Sequence, residues 1–221
     1  MACDHLDKKT FSNAMEVINK EYCDLYNEFN KEFENAINAY YEAWQSTKGW
    51  NKVSELHQWF SRSLSIASEA IVKNYNIMKE NGEAYAKMQD MWVFLDNIDK
   101  KDFTVVKKQS FDEDREIIVD RDKISEAGQQ LETSLKKIVS HIENSLSQTE
   151  TDQKFGYYST GGGNNPRDTI YRAYSSLLTS LKNAINQFQL RFAEMLEEDK
   201  NEAERIKTEA AVQNSDFSDI F

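Results

Sequence analysis

Phe11-Ser-Asn-Ala-Met15-Glu-Val-Ile18-Asn-Lys-Glu-Tyr22-Cys-Asp-Leu25-Tyr-Asn-Glu-Phe29-Asn-Lys-Glu-Phe33-Glu-Asn-Ala-Ile37 sets the architecture, and the same pattern continues through Tyr40 and Trp44. Its apolar residues return at steps of three and four, the period of one helix face. The repeated step of four around Phe29, Phe33 and Ile37 departs from a strict heptad. It predicts a straighter packing than a simple left-handed coiled coil. From Thr10 to about Ser46 the segment makes a helix of about 55 Å, at about 1.5 Å per residue.

Working outward, Ser46-Thr-Lys-Gly49-Trp50-Asn51 interrupts the pattern. Gly49 suits a left-handed helix terminus and Asn51 suits a cap for the next helix. The stripe resumes at Val53, Leu56, Phe60, Leu64, Ala67, Ile71, Tyr75, Met78, Tyr85, Met88, Trp92 and Leu95. Gly82 falls on that face, where it predicts close approach of a neighbouring backbone. Residues 10–98 therefore read as a helical hairpin.

Residues 99–120 change character. Phe103, Val105 and Val106, then Ile117, Ile118 and Val119, flank Ser110-Phe-Asp-Glu-Asp114. This is either a small β-hairpin leaning on the helices or a plain acidic linker. A third helix, with Asp122 as its cap, carries Ile124, Ala127, Leu131, Leu135, Ile138, Ile142 and Leu146 on one stripe. A loop follows over 149–165, and a fourth helix opens on Asn165-Pro166 with Asp168 in its first turn. Its stripe runs through Ile170, Tyr174, Leu177, Leu181, Ile185, Phe188, Phe192 and Met195. The expected fold is all-α: two long antiparallel helical hairpins forming an elongated four-helix bundle. The segments are 1–98, the linker 99–120, 121–213, and a tail of 214–221.

Only one proline and seven glycines occur in 221 residues, which leaves little chain for loops. The net charge of −11 disfavours nucleic acid, whose binding draws on lysine and arginine. It equally disfavours electrostatic adhesion to anionic lipid. No apolar run is long enough to span a bilayer, so stable membrane insertion is not expected. MACDHLDKKTF lacks the apolar core of a signal peptide. Synthesis in the cytoplasm, with any export by a signal-peptide-independent route, is the expectation. Cys3 and Cys23 read as reduced thiols.

The residues offer little catalytic chemistry. His5, His57 and His141 stand far apart, outside HExxH-type spacing, and none follows a glutamate by three as di-iron bundles require. Gly161-Gly-Gly163 precedes a helix but lacks the Lys-Ser or Lys-Thr of a P-loop. No catalytic, cofactor-binding or metal-binding residue is assigned. The aromatic excess is more informative. Trp44 and Trp50 flank the first turn, as a plug closing the bundle end or as an interface anchor.

The first hairpin resembles the WXG family, the early-secreted-antigen-like substrates of type VII secretion. Those are acidic helical hairpins with Trp-x-Gly at the turn and a Tyr-x-x-x-Asp/Glu export signal. Here the turn reads Trp44-Gln-Ser-Thr-Lys-Gly49-Trp50, with tryptophan and glycine at a wider spacing, and Tyr85-Ala-Lys-Met-Gln-Asp90 puts its acid one residue late. The resemblance implies a helical protein partner or self-association, and no enzyme. It directs attention to Trp44, Gly49, Trp50, Tyr85 and Asp90. The tail, with Phe217, Ile220 and Phe221 among aspartates, reads either as a frayed end or as a recognition segment. A general helical adaptor and a membrane-acting helical bundle are the competing readings.

Overall fold

The computed structural model describes residues 5–91, 93, 95–103, 118–158 and 165–218. It is mostly helical, at 83% of those residues, far above the globular average of about a third. Helix α1 spans Lys8–Glu28, α2 Glu34–Ala43, α3 Thr47–Met88, α4 Arg121–Thr149, α5 Asp152–Phe155 and α6 Pro166–Ser218. Among the described residues four two-residue strands accompany them: β1 (His5–Leu6), β2 (Trp44–Gln45), β3 (Ile118–Val119) and β4 (Tyr157–Tyr158). Residues 1–181 form one compact unit and 182–221 a second, which contains the distal part of α6.

The first helix starts where Asp7 accepts a hydrogen bond from the Thr10 amide, an N-cap. Phe11, Met15, Ile18, Tyr22 and Leu25 are buried at alternating steps of four and three. At the repeated step of four the helix does not simply straighten. Phe29–Phe33 is a π-helical turn between α1 and α2. Its wider winding absorbs the surplus residue. Phe29 and Phe33 thus both face the core and stack with ring centroids 4.8 Å apart. Helix α4 packs against α1 and α2. It buries Ile124, Ala127, Leu131, Leu135, Ile138, Ile142 and Ser145 at regular steps of three and four. The beginning of α6 adds Ile170, Tyr174, Leu177 and Leu181 as buried residues.

The turn between α2 and α3 differs from the sequence reading in its chemistry. Ser46, not Asn51, caps α3, its Oγ accepting from the Gly49 amide at 3.0 Å. Gly49 is inside the first turn of α3 rather than at the end of the preceding helix. A Cβ there would lie 2.6 Å from the Trp44 ring, so its missing side chain makes room for the indole. Gly82 is explained by a side chain rather than a backbone. The Phe11 ring occupies the place of its Cβ, 2.3 Å from where that atom would sit. Phe11 also meets Phe155 edge-on at 5.6 Å. Gly156 ends α5 at φ +75°, a left-handed conformation glycine adopts without strain.

The second arm of the hairpin ends ten residues before the expected position 98. Met91 N–H donates to Ala86 C=O at 2.9 Å and Asp90 N–H to Lys87 C=O at 3.1 Å. This is the Schellman pattern, with Asp90 (φ 56°) in the left-handed position usually given to glycine. The chain then returns along α3 as an irregular strap, described at residues 91, 93 and 95–103. Val93, Ile98 and Phe103 are buried in it.

Side chains satisfy the backbone of the strap. Asn76 pairs with Ile98 at both groups, Nδ2 donating to the carbonyl at 3.2 Å and Oδ1 accepting from the amide at 3.3 Å. Tyr75 donates to the Asp96 carbonyl, and Glu83 accepts from the Leu95 amide. Lys101 N–H donates to the Tyr22 hydroxyl at 2.9 Å; Tyr22 contacts Ser68 Oγ at 2.5 Å, and Ser68 in turn donates to the Lys101 carbonyl. That closed ring substitutes for a β-ladder where no second strand lies among the described residues.

Of the linker, 104–117 lie outside the described residues, including Val105, Val106 and Ile117. Ile118–Val119 pair antiparallel with Trp44–Gln45. Phe103 belongs to the strap, against Phe29 and Tyr26. The strand partner of Ile118 and Val119 among the described residues is therefore the hairpin turn. Helix α6 continues through Ser218, five residues into the segment read as a tail. Neither proline nor glycine stands there to stop it.

Candidate functional site

The turn residues singled out by sequence come together. Trp44 is 5% exposed, held in β2 beside β3, with the adjacent Ala43 carbonyl accepting from Asp120 N–H. Trp50 Nε1 donates to the Tyr41 carbonyl at 3.1 Å, and the two rings meet edge-on at 5.4 Å. Burial raises the Tyr41 phenol. Trp44 is thus packed from within, while Trp50 is half-buried beside it.

Tyr85 and Asp90 lie at the other end of α3, away from that turn. Tyr85 is half-buried and meets Tyr157 edge-on at 6.3 Å. Asp90 ends the helix as described. Phe217 falls within α6 with its side chain outside the described set, as are Ile220 and Phe221. Cys23 is a free thiol donating to Asn19 Oδ1 at 3.6 Å; Cys3 lies outside the described residues.

A feature the sequence reading passed over is the outward face of α3. Trp59 is 43% exposed and Ile66, two turns on, 64%. Half-buried Leu56, Ser63, Ala70 and Ile77 complete a series at steps of three and four with them, interrupted by exposed Lys73. This series runs one residue behind the buried one of His57, Phe60, Leu64, Ile71 and Met78. One residue turns a helix by about 100°, so α3 carries two adjacent apolar stripes. The signal is present in the sequence, but the more regular core stripe beside it masks it.

Inside, His57 is 1% exposed and stacks on Phe33 at 5.7 Å and Phe29 at 6.2 Å. Its Nε2 is buried with no hydrogen-bond partner among the described residues, and burial holds the imidazole below its ordinary pKa. His141, on α4, reaches α1. Its Nδ1 is 2.6 Å from Glu21 Oε2, and Asn144 Nδ2 donates to the other Glu21 oxygen at 3.3 Å. Asp24 stands beside them, with one ligand-capable atom of each residue within 4.8 Å of the others. Sequence distance hid this group, for the two helices bring together positions 120 apart.

A shallow groove of about 450 Å³ lies between Glu32 and Asn35 on one side and Glu126, Gln129 and Thr133 on the other. It offers carboxylates, amides and hydroxyls. Among the described residues no helix is long and apolar enough to cross a membrane. No family model, curated protein or solved structure matches the chain.

Proposed function

We propose that this chain is a non-enzymatic protein-binding module, a secretion-associated substrate or partner of the kind the WXG resemblance implies. Its docking surface is the outward stripe of α3, which takes an amphipathic helix of the partner. The single observation that carries this is the exposure of Trp59 and Ile66 on one face beside a fully formed core. Large apolar side chains left outside a completed core mark interaction surfaces when they are contiguous, and tryptophan is the commonest anchor. A helix laid along such a stripe meets residues at this spacing. Contact between Trp44 and Gly49 supports the resemblance, since the two residue types that define the family turn touch here despite their wider spacing. The two hairpins in tandem, forming a four-helix bundle, are part of the same proposal.

A photo-crosslinking amino acid at position 66, in cells that make the protein natively, tests it. One protein adduct is expected at 66, lost with Trp59→Ala and not formed at Lys136 on α4. Equal crosslinking at both positions, or adducts indifferent to Trp59, would refute the docking surface. A captured partner that is itself exported, or part of an export machine, supports the secretion assignment. A resident cytosolic partner replaces it with the adaptor reading.

A further inference from the structure

We propose that Glu21, Asp24 and His141 form a site for a divalent transition-metal ion, zinc above all, that clamps α1 to α4. Glu21 and Asp24 are one helical turn apart on α1, so their carboxylates leave the same face. His141 meets them from α4. The ligand-capable atoms already lie within 4.8 Å of one another. Tetrahedral zinc with bonds of about 2.0–2.2 Å holds its ligands about 3.3 Å apart, so only side-chain rotations separate the present arrangement from a coordinating one.

The donor set selects the ion. An imidazole nitrogen with two carboxylates suits zinc and its first-row neighbours, whereas magnesium and calcium prefer oxygen alone. The two carboxylates balance the double charge of the ion, and water completes the coordination. Asn144 supplies the outer hydrogen bond, to Glu21 Oε1 at 3.3 Å, that orients a ligating carboxylate. The side chains of Glu21 and His141 are 13% and 20% exposed, which shields the group while leaving an approach for the ion.

Isothermal titration of the full chain with zinc chloride in a non-coordinating buffer tests the site, with cobalt(II) absorption as an independent view of the coordination. One zinc ion per chain, bound in the micromolar range or tighter, is the expected result, with a raised unfolding midpoint. His141→Ala and Asp24→Asn should each weaken binding by at least about tenfold, the lower bound for disturbing even an outer ligand. His5→Ala should leave it unchanged. Circular dichroism checks that each variant keeps its helices, and Asp24→Asn, which preserves side-chain shape, decides the matter if His141→Ala does not fold. No binding below about 1 mM, far weaker than any structural zinc site, or binding indifferent to both substitutions, overturns the proposal.

Discussion

Replacing Asn76 by alanine tests the reading of the strap. That amide supplies both hydrogen bonds to the Ile98 peptide, at 3.2 and 3.3 Å. Truncation removes both at once and leaves a part-buried N–H and C=O with only such water as can enter. Each net hydrogen bond is worth about 1 kcal/mol, and an orphaned buried group costs about 1–3 kcal/mol. A loss of about 2–3 kcal/mol is expected, toward the low end if water fills the gap. Ile98 and Phe103, each 3% exposed, anchor the strap independently, each worth about 1.5–3 kcal/mol of burial. The strap should therefore loosen without leaving. Urea unfolding should show a lower midpoint with an unchanged slope, and the Ile98 amide should exchange about 30–140-fold faster, since 1.4 kcal/mol is tenfold. Asn76→Asp keeps the acceptor and loses the donor, so it should protect the Ile98 amide more than alanine does. If Asn76→Ala shifts stability by under about 0.5 kcal/mol, the range of an ordinary surface change, and exchange at Ile98 is unaffected, side-chain pairing does not hold the strap.

Three other outcomes follow from the same structure. Asp90→Gly should stabilise by about 0.5–1 kcal/mol in thermal or urea unfolding, because relief of the left-handed strain exceeds the added freedom of the unfolded chain. His57 should make stability depend on pH. Its folded pKa is depressed by burial, so below about 6.5 the unfolded chain binds a proton that the folded one resists. Stability therefore falls as pH drops from about 6.5 toward the folded pKa, and His57→Leu should flatten that part of the curve. Trp44→Ala should cost about 3–5 kcal/mol by urea unfolding, the loss expected of a large aromatic in a core. Unchanged stability would make Trp44 an anchor rather than a plug.

The helices were legible because their burial follows the local period: Phe11 to Leu25 and Ile124 to Ile142 could be read directly from steps of three and four. The end of α3 was not. Trp92 and Leu95 continue the helical count, while the strap buries Val93, Ile98 and Phe103 at steps of five, a spacing that belongs to no regular element. The stop signal was an aspartate doing what glycine usually does, so nothing local announced it. The Ser46 cap is masked in the sequence because Gly49 resembles a helix end, whereas the Trp44 indole is the reason for that glycine. The two-residue pairing of Trp44–Gln45 with Ile118–Val119, and the meeting of His141 with Glu21, depend on tertiary approach. No single-chain periodicity encodes either.

The π-turn at Phe29–Phe33 fixes the rotational phase between two otherwise regular half-helices. Helix α4 presents an unbroken repeat to both, and the two halves can share it only because the turn resets their angle. Deleting one residue there would create a more ideal helix and a worse protein. Ile37, Tyr40 and Tyr41 would swing by about 100° relative to the residues before the turn, carrying the α2 face away from α4. The first arm can thus tolerate substitutions that respect side-chain volume on either side of residues 29–33, but not a change of length across them. Its spacing is information of the same rank as its residues.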